Sequence, residues 1–415
     1  MRSDRHRQVP QKKKNRTLRV LLGLIVLLLI AIIALLVYSY RTAKASLAIT
    51  FTEEAPTVEF GGEYPALDYV LEASGDVSPA ETFLNAETLG TQDFTYTVSK
   101  PLYGGLLRPS RAFELRYTVD DTVAPAVLWS GEGTVLERGT TFDINEVISY
   151  GDNADPSPSV EVDGEVDMET AGDYPLHITV ADISGNETEW DLTIEVADSL
   201  PTPATSSERT DFEDFITEYE ADGRTFGIDV SEWQGDVDFE AVRTAGCEFV
   251  LLRIGYTSDG EIRSDSTFAR NLERARAAGL RIGLYFYSTD QTEEEARASA
   301  GWIAEQLGDW RPDLPIAFDW EDFGHFQEYG MSFADLERNY NAFTQALAEH
   351  GCDSILYSSK NRLEDAWAGT DAGPVWLAHY TDETDYEGPY RLWQASCTGR
   401  IDGIEGAVDL DILYE

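Results

Sequence analysis

At about 150 residues per domain, a chain of 415 residues predicts two to four domains and excludes a single small module. Its 31 basic and 76 acidic residues leave a formal charge of −45, which excludes nucleic acid as a partner because phosphate binding needs a basic face. An apolar fraction of 42% with nine Trp, twenty Tyr and eighteen Phe excludes a largely disordered chain.

The charge is unevenly spread, with ten Lys/Arg and one acid in residues 1–44 and 21 basic against 75 acidic residues beyond. Val20 to Tyr40 runs without a charge, and at 1.5 Å per residue those residues span about 30 Å, the thickness of a bilayer's hydrocarbon core. Arg2, Arg5, Arg7, Lys12, Lys13, Lys14, Arg16 and Arg19 precede it, so the positive-inside rule keeps residues 1–19 as a cytoplasmic tail. The expectation is a retained single-pass helix over 20–40, partnered by lipid, with everything beyond Tyr40 outside the cell. A cleaved signal peptide is the alternative, since Ala43-Lys44-Ala45 has the small-x-small form of a cleavage site. Signal-peptide apolar regions are shorter, about 7–15 residues, and Arg41 and Lys44 crowd the site.

Residues 48–120 alternate: Phe94, Tyr96 and Val98 share one face, as do Phe113, Leu115, Tyr117 and Val119. Residues 121–198 repeat the pattern, with Leu176, Ile178 and Val180 following Gly172 as the first trio follows Gly90, and Trp190, Leu192, Ile194 and Val196 matching Phe113 to Val119. Two all-β sandwiches are predicted. The phrases YTVDDTVAP (Tyr117 to Pro125) and ADISGNE (Ala181 to Glu187) resemble bacterial immunoglobulin-like surface domains, which implies spacer or adhesive modules without catalytic residues. Asp152, Asp155, Asp163, Glu165 and Asp167 have no EF-hand spacing and read as a solvated acidic face. A linker over 199–223 follows, rich in Pro, Ser and Thr at first, then acidic from Glu208 to Glu220, where a helix against the next domain's rim is expected. Cys247, Cys352 and Cys397 are widely spaced and read as buried free thiols.

From Arg224 the periodicity becomes strand, helix, strand. Apolar strands are predicted over Thr225–Val230, Phe249–Ile254, Arg281–Tyr287, Pro315–Trp320, Ser354–Ser358, Val375–Ala378, Arg391–Ala395 and Val408–Leu413. This reads as a modified β/α (TIM-like) barrel over 224–415, with helices after the second, third and fourth strands and too little chain for helices between the last three. Chemistry in such barrels sits at the C-terminal strand ends, and Asp229, Asp319, Glu321 and Asp409 fall near them. Asp319 and Glu321, two apart, point to one side while Phe318 and Trp320 point away. Paired carboxyls raise one pKa and keep a proton available near neutrality, which is what cleavage of a glycosidic bond requires. Tyr256, Tyr285, Tyr287, Tyr357, Trp376 and Trp393 are candidate sugar-stacking residues, with Trp233 and Tyr380 nearby.

The phrases GIDVSEWQG (Gly227 to Gly235), FDWE (Phe318 to Glu321), LWQ (Leu392 to Gln394) and AVDLD (Ala407 to Asp411) resemble glycoside hydrolase family 25, the Chalaropsis-type lysozymes, over about residues 224–415. The resemblance implies N-acetylmuramidase activity on the β-1,4 bond between N-acetylmuramic acid and N-acetylglucosamine in peptidoglycan glycan strands. It implies Glu321 as general acid, Asp319 as its partner, and Asp229 and Asp409 completing the cleft. Asp319 would act as an electrostatic stabiliser or by orienting the substrate's 2-acetamido group, and both routes stay open. One departure is visible: the family commonly has Asn where Asp411 stands. No metal or cofactor is expected: Glu293 to Glu295 read as a helix start, His325, His350 and His379 are scattered, and no GxSxG phrase occurs. Three rivals remain: a catalytically inactive wall-binding protein, a chitin-cleaving glycosidase, and an adhesin driven by the sandwiches. Remodelling of the cell's own wall is the role that an anchored enzyme suggests.

Overall fold

The computed structural model describes residues 11–128, 134–201 and 209–415. Part of the basic tail (1–10) and part of the linker (202–208) therefore lie outside the described residues. The chain divides into two compact units, Met1–Asp121 and Thr122–Glu415.

The first unit opens with helix α1, Gln11–Ala45, whose most apolar window within Arg16–Ala45 has a mean hydropathy of 3.6 with none of it buried. By length and composition it is able to cross a bilayer. A four-stranded sheet follows, in the order Thr57–Glu59, Ser110–Asp120, Gly90–Ser99, Asp76–Pro79, whose first pair is parallel and whose others are antiparallel. Alternation puts Phe94, Tyr96 and Val98 on one buried face with Leu115, Tyr117 and Val119 opposite. Tyr96 keeps its hydroxyl satisfied inside by donating to the Ala66 carbonyl at 2.6 Å.

The second unit repeats that pairing scheme. Val135–Glu137, Glu187–Ala197, Gly172–Ala181 and Ser159–Asp163 lie in the same spatial order, again with a parallel first pair. Leu176, Ile178 and Val180 are buried as Phe94, Tyr96 and Val98 are. The acidic residues of this module divide in a way that corrects the solvated-face reading. Asp163, Glu165 and Asp167 are exposed, but Asp152 and Asp155 are buried. Their carboxylates cap tight turns: Asp152 accepts from the Ala154 and Asp155 amides at 2.9 and 2.6 Å, and Asp155 from the Ser157 and Ile183 amides at 2.9 and 2.8 Å.

The acidic stretch before the next domain forms α2, Phe212–Tyr219, which buries Phe212 and Phe215 in that domain's core. Eight strands then close into a barrel: β1 Arg224–Val230, β2 Phe249–Ser258, β3 Arg281–Ser288, β4 Ile316–Trp320, β5 Ser354–Ser359, β6 Val375–Ala378, β7 Tyr390–Arg400 and β8 Val408–Tyr414. Strands β1 to β7 pair in parallel, whereas β8 runs antiparallel to both β7 and β1. The outside is covered by α3 Phe239–Thr244, α4 Phe268–Ala277, α5 Glu293–Leu307, α6 Phe333–Glu349 and the short α7 Lys360–Glu364. Helix α5 starts with a capping box in which Thr292 and Glu295 satisfy each other's amides. Gly227 on β1 has no room for a side chain, because a Cβ there would sit 2.5 Å from the Phe249 ring. Cys247 and Cys352 are buried, but Cys397 is exposed, which corrects the expectation for the third thiol.

Within this unit the β module is docked on the barrel. The Phe333 amide donates to the Asp152 carbonyl at 2.8 Å, and Leu128 is buried in the barrel's outer core. Gly151 lies so close to the aromatic rim that a Cβ would come within 2.6 Å of Phe333.

Candidate active site

The acids gather at one rim because of strand direction. Asp229 is the penultimate residue of β1 and Asp319 that of β4, with Glu321 just beyond. Asp409 stands at the beginning of β8, not at its end, and reaches the same rim because β8 runs the other way; it pairs directly across from Asp229. Period-two alternation sends Asp319 inward and leaves Phe318 and Trp320 packed in the outer core.

Beneath the rim lies a polar layer inside the barrel. Gln394 donates from Nε2 to Asp229 Oδ2 at 2.7 Å and accepts from the hydroxyls of Tyr357 and Tyr380 at 2.9 and 2.8 Å. Trp376 donates from Nε1 to Asp411 Oδ1 at 2.9 Å. Asp411 is 0% exposed and lies against Asp229, whose ionisation it disfavours. Burial, then Asp409, pushes both well above the usual carboxylate range.

Glu321 is exposed at the rim, where it borders a cavity of about 550 Å³, yet it lies deep among protein atoms, and its carboxyl is pushed up to about 7. Burial is the main cause, the Asp409 charge adds to it, and the Arg362 guanidinium opposes it. Asp409 is itself pushed up to about 6, by burial. Asp319 is raised well above its ordinary range by burial, then by Glu321, with Arg253 opposing. The partner that lifts Glu321 is thus Asp409, across the barrel rim, while Asp319 receives the repulsion expected within the pair. Asp319 Oδ1 is buried with no hydrogen-bond donor among the described residues.

The candidate aromatic residues separate by depth along the barrel and by strand face. Tyr256 and Tyr287 border a cleft of about 920 Å³ together with Trp233, which is 80% exposed. Tyr380 is 54% exposed and its hydroxyl points into the polar layer. Tyr285 and Tyr357 face the barrel interior, where both pack on Trp376. Trp376, 1% exposed, and Trp393, 3% exposed, are corrected from sugar-stacking residues to core residues. Trp376 is sealed beneath the acids. Trp393 follows Leu392 and precedes Gln394 on β7, so alternation turns it outward, where it meets Tyr219 of α2.

Sequence reasoning missed Arg253 and Arg362. Arg253 bridges Asp265 and Glu232 at 2.9 Å each and lies 5.1 Å over the Tyr256 ring, holding the cleft wall together. Its signal was present, as a single charge inside the apolar run of β2. Arg362 is on α7, where nothing in the local pattern sets it apart.

Comparison with known proteins now adds to this geometry. Residues 228–404 match the family described as glycosyl hydrolases family 25, and residues 128–196 match that described as bacterial surface protein, Ig-like domain. An autolytic lysozyme of Clostridium acetobutylicum is 31% identical over 193 residues, covering 46% of this chain and 56% of its own. Lysozyme M1 of Streptomyces globisporus is 30% identical over 196 residues, covering 44% and 65%. The crystal structure of the bacterial lysozyme from Streptomyces coelicolor aligns with a TM-score of 0.40 at 26% identity, covering 45% of this chain and 90% of that one. The chain thus spans between about half and two thirds of the length of these two curated relatives. The resemblance carried by the sequence phrases holds for the C-terminal domain and for the β module before it.

Proposed function

We propose that this protein is a peptidoglycan hydrolase that cleaves the β-1,4 bond between N-acetylmuramic acid and N-acetylglucosamine. Its family 25 domain supplies the chemistry on a TIM-like barrel modified by the antiparallel β8. The observation that carries the reading is Glu321: a carboxyl facing a cleft and held near pKa 7, protonated in a large fraction at neutral pH and able to give that proton to the leaving oxygen. Asp319 is as close in sequence but buried, so Glu321 alone reaches the glycosidic oxygen. Asp319 beside it would act as an electrostatic stabiliser or by orienting the substrate's 2-acetamido group. Asp409, with its carboxyl pushed up only to about 6, is mostly ionised at neutral pH and supplies a negative field around an oxocarbenium-like centre, with Asp229 beside it completing the acidic rim, and the Trp233, Tyr256 and Tyr287 wall offers ring faces to sugars.

Helix α1 supports a single-pass anchor, with residues 1–19 cytoplasmic, the barrel outside the cell, and two immunoglobulin-like sandwiches as the spacer between membrane and wall. Remodelling of the cell's own wall fits an enzyme of limited radius. The test is digestion of purified peptidoglycan by the full chain beside Glu321→Gln, with mass analysis of the ends. New N-acetylmuramic acid reducing ends, lost in the variant, are the expected result. Binding without cleavage by both proteins would instead support a wall-binding role.

A further inference from the structure

We propose that the second β module forms one wall of the active site, and that the cavity between it and the barrel receives the charged peptide stem of the muramoyl sugar. This rests on the hydrolase reading above. The cavity measures about 550 Å³, within the roughly 300–1,000 Å³ of ordinary ligand sites. Glu146, Val147 and Ser149 of the module face it from one side, and Glu321, His325 and Arg362 of the barrel from the other. Because Glu321 borders it, a saccharide placed to receive the proton has its substituents within reach of this space. The chain enters the aromatic-walled cleft at Asp322, between Glu321 and Phe323 of this cavity, so the two recesses adjoin.

The wall is fixed. Two backbone hydrogen bonds, Phe333 to Asp152 at 2.8 Å and Ala334 to Asn153 at 3.2 Å, tie the module to the start of α6. Gln327 donates to the Asn145 carbonyl at 3.3 Å, and Leu128 and Gly151 are packed against barrel side chains.

The lining selects charge. Arg362 is half-buried, lies 5.1 Å over the Phe323 ring and spends one N–H on the Leu128 carbonyl at 3.3 Å. It has no ion-pair partner among the described residues, in a chain with 76 acidic residues to choose from. A partly desolvated guanidinium placed over a ring is a receptor for a carboxylate. Glu146, with His325 3.9 Å away, sets a negative group on the opposite wall. A cation and an anion facing each other across one cavity suit a zwitterionic peptide, and peptidoglycan stems carry both carboxylates and an amino group.

The experiment compares two substrates with the full chain in detergent: purified peptidoglycan with its stems, and the same glycan stripped of stems by an amidase. The reading is the ratio of kcat/KM on the two. Arg362→Gln should lower that ratio about tenfold, equivalent to one charge-assisted contact of about 1.4 kcal/mol. Arg362 also faces Glu321, but a changed Glu321 pKa alters both substrates alike and cancels in the ratio. Gly324→Trp is the second variant: Gly324 lines the cavity and a Cβ there meets nothing within 4 Å, so a bulky ring at the cavity's edge is tolerated by the fold and should also depress the ratio. A ratio unchanged in both variants, or a wild-type protein that cleaves stripped glycan as readily as intact, overturns the subsite and leaves the hydrolase standing. Cleavage of neither substrate overturns the hydrolase reading, and the subsite with it.

Discussion

Replacement of Asp409 by Asn isolates the charge that helps keep Glu321 protonated. With its pKa near 7, Glu321 is about half protonated at pH 7, whereas a carboxyl at 4.5 would be protonated in roughly one molecule in 300. The alkaline limb of the wild-type profile should therefore fall near pH 7. Burial remains the larger cause of the shift when Asp409 is neutralised, and Arg362 still opposes it. Asp409→Asn should move the limb toward acid by about one pH unit, to near 6. The assay is kcat against pH on peptidoglycan, read as reducing ends between pH 4 and 9. The position of the limb is the observable, since the height also falls if Asp409 contributes to the field at the reacting carbon. A limb that stays in place, or moves toward alkali, would refute the coupling between Asp409 and Glu321.

Other expectations follow from the same groups. Glu321→Gln should lower kcat by about 10²- to 10⁴-fold with little change in KM, the ordinary range for loss of a general acid, as measured by initial rates. Folded-state pKa values raised by burial mean that Glu321, Asp409, Asp319, Asp229 and Asp411 hold protons that the unfolded chain releases above about pH 4. For Glu321 and Asp409 that contribution to stability is lost as pH rises through about 6–7, so the Tm of the second unit should climb on going from pH 8 to 5.5; calorimetry showing a fall across that window would contradict it. Asp411→Asn should keep activity and flatten this pH dependence, because an amide oxygen still accepts from Trp376 without the cost of a buried charge. Arg253→Met leaves Asp265 buried without its cation and should cost about 3–5 kcal/mol, read from denaturant unfolding.

Much of the barrel was legible because its signals are local. Eight apolar runs of strand length gave the eight strands, and the chain lengths between them gave the missing helices after β6. Direction was not legible: nothing in VDLDILY says that β8 runs against its neighbours, since alternation reads the same in both directions. That is why Asp409 reached the right rim by the wrong route. Facing was legible only where an element's register was certain. Alternation places Asp319 against Phe318 and Trp320, but Trp393 reads as a cleft residue because its strand's inward residues, Leu392 and Gln394, look no more buried in sequence than it does. Long-range contacts left no trace at all. Arg362, Leu128 and Glu146 come from three stretches that are unremarkable alone, and only the docking of the β module joins them.

That docking bears directly on the chemistry. Glu321 stands between a carboxylate that raises its pKa, Asp409, and a guanidinium that lowers it, Arg362. The guanidinium is held by the Phe323 ring on one side and by the carbonyl of Leu128 on the other. Leu128 belongs to the β module, yet its side chain is sealed in the barrel's core. The position of the cation, and through it the protonation of the acid, therefore depends on a residue outside the barrel. A spacer domain need only bear load between its ends. This one reaches the electrostatic environment of Glu321 through the hydrogen bond from Arg362 to Leu128, which ties the working pH proposed for the barrel to the seating of its neighbour.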